Sequence, residues 1–275
     1  MATQSGVDIE KMVFRKTNAR PGRHISITPQ NSSMKHLSYG RVILNSATPK
    51  ETFNNHGCET ALICISGRAT VRTAGQEFEL GQYDSVYIPR DSGIEVSTKN
   101  EADLAEFSCA VEGKYPVAFV PYLETSQKEG MKFSTGGPGS SRQVNILIAK
   151  NVQAGRLVAG FTCSDPGNWT SWPPHEHAKL LEEMYVYFDM PEPAYGLQLV
   201  YNNTEYPELV TVVRDGDAVL IPSGYHPNVA VPDHRIAFLW AMAAYREVED
   251  RQYGVVNIQP GFQQGGSGLE AGRNK

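Results

Sequence analysis

Two nine-residue segments, Gly81-Gln-Tyr-Asp-Ser-Val-Tyr-Ile-Pro89 and Arg214-Asp-Gly-Asp-Ala-Val-Leu-Ile-Pro222, share one pattern: a polar turn, a short apolar strand and a proline stop. A pattern that returns so far along a chain marks a duplicated β-domain. The apolar runs at 62–72, 85–88, 144–148, 157–163, 183–188, 208–213 and 235–240 are short and rich in β-branched residues, and 25 glycines and 17 prolines punctuate them. Few stretches recur at the helical period. The expectation is an all-β fold of two jelly-roll barrels, over residues 10–125 and 144–250. Residues 126–143 contain a Gly-Gly-Pro-Gly-Ser-Ser stretch and read as a linker. Residues 251–275 are rich in Gly, Gln and charge and read as a flexible tail.

The charge balance, 25 Lys+Arg against 30 Asp+Glu for a net −5, argues against a nucleic-acid binder working through bulk positive charge. No apolar run is long enough to span a membrane. The first twenty residues lack the apolar core of a secretory signal. Cys58, Cys64, Cys109 and Cys163 are irregularly spaced and form no Cys-x-x-Cys pair, so neither a disulfide framework nor a thiolate zinc site is expected. These features point to a soluble, cytoplasmic protein.

The chemistry concentrates in the second half, where Pro173-Pro-His175-Glu-His177-Ala-Lys-Leu-Leu-Glu182-Glu183 is followed by Pro222-Ser-Gly-Tyr-His226-Pro. In extended chain the period of two puts His175 and His177 on one face, and imidazole nitrogens suit first-row divalent metals. A carboxylate five or six residues on can return on the next strand, and His226 can complete the set. Three neutral imidazoles and one carboxylate leave positions open for water or substrate, the catalytic rather than the structural pattern. Zn, Mn, Fe and Ni are all compatible with these ligands. His24, His36, His56 and His234 lack such context. In the first half the nearest equivalent, His56-Gly-Cys-Glu59, has no His-x-His, so that half reads as scaffold.

The motif pair resembles the cupin superfamily, whose first motif joins His-x-His to a Glu and whose second carries Gly, Pro, Gly and His. Here the second motif reads Gly216-Asp-Ala-Val-Leu-Ile-Pro222-Ser-Gly224-Tyr-His226. Within that superfamily the chain is similar to the 5-deoxy-glucuronate isomerases of inositol catabolism, through Gly167-Asn-Trp-Thr-Ser-Trp-Pro-Pro-His-Glu-His177, Leu181-Glu-Glu-Met-Tyr185, Gln198-Leu-Val-Tyr201, Gly224-Tyr-His-Pro227 and Arg142-Gln-Val-Asn-Ile146. It resembles more weakly the 5-keto-4-deoxyuronate isomerases of pectin breakdown, which share Glu183-x-Tyr-x-Tyr-Phe188. The resemblance implies a bicupin, one divalent metal in the C-terminal half, a homo-oligomer, and aldose–ketose isomerisation of an open-chain sugar acid.

Glu182 and Glu183 are strand neighbours and face opposite ways, so only one can enter the barrel. Generic cupin spacing favours Glu182. The family pattern favours Glu183 and turns Tyr185 and Tyr187 inward; the ligand set adopted is His175, His177, Glu183 and His226. On that phase, loss of the Glu182 carboxylate is expected to be mild. Moving a carbonyl from C1 to C2 needs a group to carry the C2 proton. The barrel-lining candidates are Tyr187, Gln198 and Tyr201, with Lys179 placed to meet the substrate carboxylate. Two other readings stay open: an Fe(II)-dependent cupin dioxygenase, and a non-catalytic sugar-acid-binding cupin.

Overall fold

Nearly every apolar run becomes a strand, and among the described residues only the single turn Tyr122–Thr125 is α-helical. The computed structural model describes residues 12–177, 179–262 and 268–269. Four main sheets are present. A four-stranded sheet runs Lys50–Asn54, Gly93–Ser97, Ala69–Thr73, Gln76–Leu80, and a six-stranded one runs Ala118–Val120, Ser85–Ile88, Cys58–Gly67, Ala102–Ala110, Leu37–Leu44, Gly22–Ile27. A seven-stranded sheet follows, in the order Val13–Phe14, Ala218–Ile221, Leu181–Tyr187, Ala237–Ala244, Leu157–Ser164, Arg142–Ile148, Lys132–Thr135. The last runs Trp169–Thr170, Asn228–Ala230, Gly196–Val200, Leu209–Val213.

The halves repeat one strand order. The echoed strands Ser85–Ile88 and Ala218–Ile221 occupy equivalent places, beside Cys58–Gly67 and Leu181–Tyr187. The architecture is all-β, as expected, with a strand order repeated in the two halves. One apolar core lies within each half, and a third joins them, with Tyr39 and Phe107 of the six-stranded sheet in the same cluster as Met184 and Leu239 of the seven-stranded sheet. The seven-stranded sheet is therefore covered on both faces. Leu181–Tyr187 and Ala237–Ala244 are buried at every position and show no polar alternation.

Two buried carboxylates bridge the halves reciprocally. Glu182 accepts the backbone N–H groups of Lys35, His36 and Leu37, each at 2.7 Å. Glu59, on the equivalent strand of the first half, accepts those of Gly155, Arg156 and Leu157 at 2.7, 2.7 and 2.8 Å, and the Tyr87 hydroxyl at 2.6 Å. Each carboxylate satisfies the orphan donors at the head of a strand in the other half, Leu37–Leu44 and Leu157–Ser164.

The structure corrects the expected partition in three places. Val13 and Phe14 pair with Val219 and Ala218, so the chain starts its described course in the second half's sheet. The expected linker is largely a hairpin: Lys132–Thr135 pairs with the start of Arg142–Ile148, and the Gly/Pro/Ser stretch is its loop. The described part of the tail is packed. Arg251 donates to the carbonyls of Leu157 and Ala149, Tyr253 stacks on Trp240, and Asn257–Ile258 pairs with His175–Glu176. Residues 10 and 11 of the first expected domain, and 263–267 and 270–275 of the expected flexible tail, lie outside the described residues. Among the described residues no helix is long and apolar enough to cross a membrane.

Candidate metal centre

His175 lies on the short strand His175–Glu176, and its neighbour Glu176 turns outward to accept a hydrogen bond from Asn257. The chain turns through Lys179 at φ 61° into Leu181–Tyr187, which carries Glu183. His226 follows Gly224, whose φ is +94° and whose missing Cβ would stand 2.9 Å from the Tyr201 carbonyl oxygen. Only glycine fits that approach, and it fixes where His226 enters.

The imidazoles of His175, His177 and His226 present ligand atoms within 4.8 Å of one another, and all three residues are buried. His175 Nδ1 lies 3.0 Å from the Pro173 carbonyl and His226 Nδ1 lies 2.9 Å from the Gly224 carbonyl. A carbonyl only accepts, so each Nδ1 carries the proton and each Nε2 presents a lone pair. Glu183 Oε2 is 2.9 Å from His177 Nε2 and 3.0 Å from His226 Nε2, the latter out of line for a hydrogen bond. His177 Nδ1 also has no hydrogen-bond partner. Burial, reinforced by the other two imidazoles, holds His175 well below its ordinary pKa. Burial pushes the Glu183 carboxyl up, but His177 and His226 outweigh it and hold it down at about 2.

His177 Nε2 can donate to Glu183, but the His226 Nε2 lone pair 3.0 Å from the same oxygen is unfavourable without a positive charge between them. Two donors about 2.1 Å from a common ion at a right angle sit about 3.0 Å apart, which is the spacing of Glu183 Oε2 to the His177 and His226 nitrogens. The three histidines form a buried cluster of the kind that could hold a metal ion, with Glu183 beside two of them. Glu182 faces the opposite way, into its bridge to residues 35–37.

The first half lacks the set. Thr60 pairs with Ile88 as Glu183 pairs with Ile221, so a threonine stands where the carboxylate would be. Asn55 donates to Thr60 Oγ1 and the Pro89 carbonyl and accepts from the Ser92 N–H, which closes that position with its own hydrogen bonds. His56 is exposed.

The KduI/IolB family model matches residues 12–254. The chain belongs to the KduI/IolB family. Among KduI/IolB relatives, it is 26% identical to the 5-deoxy-glucuronate isomerase of Geobacillus thermodenitrificans over 242 residues, which is 81% of this chain and 85% of that one. It is 30% identical to the 4-deoxy-L-threo-5-hexosulose-uronate ketol-isomerase of Opitutus terrae over 192 residues, 67% of this chain and 66% of that one. Among solved structures, an IolB-like protein of Salmonella typhimurium superposes with a TM-score of 0.80 at 23% identity, covering 92% of this chain and 98% of that one. Oxalate decarboxylase of Bacillus subtilis, a protein with Mn(II) centres, shares the fold at a TM-score of 0.62 and 14% identity over 86% of this chain and 78% of that one.

In this KduI/IolB chain the four expected catalytic candidates do not gather at one point. Tyr187 and Gln198 are buried in the barrel, hydrogen-bonded to each other and to Asn228. Gln198 Nε2 donates to the His226 carbonyl at 2.9 Å, so this network holds the segment carrying His226. Tyr201 donates to Gln259 of the tail. Lys179 is exposed and lines an outer cleft of about 480 Å³ with Lys35, Glu176, His177 and Tyr245. The cavity that His175, His177 and Glu183 face is a different one, of about 40 Å³, lined also by Arg142, Ser171, Tyr185 and Trp240. Tyr185 and Ser171 share a 2.6 Å hydrogen bond there, and burial raises the Tyr185 phenol well above its ordinary value. Ser171 lay within the run Gly167–His177 that carried the resemblance but was not singled out. Arg142 fell at the edge of the expected linker, although it opens a strand.

Proposed function

We propose that this KduI/IolB-family protein is a metal-dependent aldose–ketose isomerase of an open-chain sugar acid, of the 5-deoxy-glucuronate type. The names of its relatives, 5-deoxy-glucuronate isomerase and a uronate ketol-isomerase, support the reaction class. The observation that carries the metal dependence is the clustering of three buried imidazoles, two of them, His177 and His226, within 3.0 Å of Glu183 Oε2, at the wall of a donor-lined cavity.

His175, His177, His226 and Glu183 would hold the ion. A bound divalent cation supplies a Lewis acid for the oxygens on C1 and C2 of the substrate. The chain's own residues do the rest. The backbone carbonyls of Pro173 and Gly224 fix the imidazole tautomers, and Gln198 with Tyr187 fixes the His226 segment. The proton removed from C2 is returned to C1, so no oxidant or reductant is consumed. Tyr185 Oη, protonated by burial and paired with Ser171 Oγ, holds a proton at the cavity wall and is placed to pass it on.

The test is conversion of aldouronates to ketouronates, followed by NMR, on protein as isolated, after chelation and after readdition of single metals. Activity that disappears on chelation, returns with metal and is unaffected by removing oxygen is the expected result. Full activity in metal-free protein rejects the proposal, and a strict oxygen requirement favours the dioxygenase reading.

A further inference from the structure

The four-stranded sheet of the second half is polar inside and apolar outside. Thr170, Asn228, Gln198 and Thr211 pair in one row across all its strands, and the first three are fully buried on the barrel side. Side chains alternate along a strand, so the neighbouring row points away from the barrel. That row is Trp169, Val229, Leu197 and Val212, and Leu199 pairs with Val210 in the next outward row. Leu197 is 38% exposed and Val210 58%. An aliphatic row across the full width of a sheet differs from the single apolar residues scattered over any surface.

The first half supplies the control. In its equivalent sheet the outward row is Thr52, Glu95, Arg72 and Glu77. Arg72 pairs with Glu77 at 2.5 Å and with Glu95 at 2.9 Å, and Lys50 also pairs with Glu95. The duplicated scaffold thus folds with a charged outer face, and the apolar one serves something other than folding.

The edge strand Leu209–Val213 points to the occupant. Strand addition is blocked there, because Arg15 donates to the Val212 carbonyl and to Thr211 Oγ1. Contact must therefore be through the face. Glu208 and Arg214 flank the strand, each three residues from Thr211. Glu208 accepts the Asn202 N–H at 2.9 Å and its Nδ2 at 2.8 Å, and Arg214 is exposed with its guanidinium 5.9 Å from the Tyr195 ring centre. Neither has an ion pair among the described residues. Opposite charges at the two ends of one strand complement a second copy laid on with its strands reversed. A two-fold axis crossing the strands at Thr211 brings Glu208 of one protomer against Arg214 of the partner subunit, and does so twice. The sheet face measures about 19 by 17 Å, the scale of the apolar centre of an interface whose rim is polar.

We propose that this face is the interface between two copies of the chain, packed sheet to sheet about that axis. The proposal is independent of the isomerase reading.

Sedimentation velocity on the full chain, over a range of micromolar concentrations, tests it. Val210→Glu puts a charge at the centre of the face and should halve the assembled mass where the wild type is fully associated, a weakening of about 100-fold or more, with the circular dichroism spectrum unchanged. Glu208→Arg and Arg214→Glu each set like charges against one another and should weaken association about tenfold. Combining the two reversals should restore the affinity to within about threefold, which local damage by either substitution would not do. If Val210→Glu does not fold, Leu197→Lys on the outward row decides in its place. Wild-type mass in the folded face variant overturns the proposal. So do single reversals without effect, or a combined reversal no better than either single. A wild type that stays monomeric also overturns it, and leaves the face to a terminal segment of this chain or to a different protein.

Discussion

Replacing Glu182 by alanine tests the division of labour between two adjacent glutamates. The substitution removes the acceptor of three backbone N–H groups, each held at 2.7 Å, from a side chain with 0% exposure. A buried donor left without a partner costs about 1–3 kcal/mol. Lys35 is exposed and its N–H can reach water, so the two remaining donors together cost about 2–6 kcal/mol rather than the full triple. For a chain of this size each kcal/mol moves Tm by about 2–4 °C, and a fall of about 10 °C is expected. Bound metal should stay, because the carboxylate faces away from the imidazoles. Glu183→Ala should do the reverse, losing most of the metal while moving Tm much less, since it also removes a buried charge. Thermal unfolding and elemental analysis on both variants check this. A Tm change under about 2 °C for Glu182→Ala, or metal lost from it and kept by Glu183→Ala, would refute the reasoning.

Further outcomes follow from other contacts. His177→Ala and His226→Ala should each abolish metal binding and nearly all isomerase activity while the β-rich circular dichroism spectrum persists; normal metal content in either excludes it from the ligand set. Glu59→Ala orphans Gly155, Arg156, Leu157 and Tyr87 and should lower the urea midpoint at least as much as Glu182→Ala, which equilibrium unfolding measures. Ending the chain after Gly254 removes the strand that pairs with His175–Glu176 and should weaken metal affinity about tenfold or more by titration; unchanged affinity would show that the pairing does not steady His175. Gel filtration should place the protein well above the 30.3 kDa of one chain, and elution as a monomer counts against the homo-oligomer.

The structure changes what the two glutamates mean. From the sequence, the one pointing away from the imidazoles looked dispensable. In the fold it caps the head of a strand in the other half, a role no local pattern announces because its partners at 35–37 are some 145 residues distant in sequence. The tail illustrates the same point. Its Gly/Gln-rich composition suggested flexibility, but Tyr253, Asn257 and Ile258 find partners on Trp240 and on His175–Glu176, and composition carries no information about such distant surfaces. Tyr187 and Gln198 were expected to line the barrel beside the metal; in the fold Tyr185, two residues earlier, lines the cavity, while Tyr187 lies in the network behind His226.

What the sequence determined by itself was whatever follows from local period and residue chemistry. Turn–strand–proline repeats dictate duplicated β-structure, and His-x-His in extended chain dictates two imidazoles on one face. The three-dimensional fold alone decided the phase of Leu181–Tyr187, because both faces of that strand are buried and its polarity cannot reveal which side is the barrel. It also decided that Arg142 lines the inner cavity with His175, His177 and Glu183, while Lys179 meets only His177, across the outer cleft. That juxtaposition joins strands three places apart in a sheet, and sheet order is set by packing between the two halves, not by any property of the segments that are brought together.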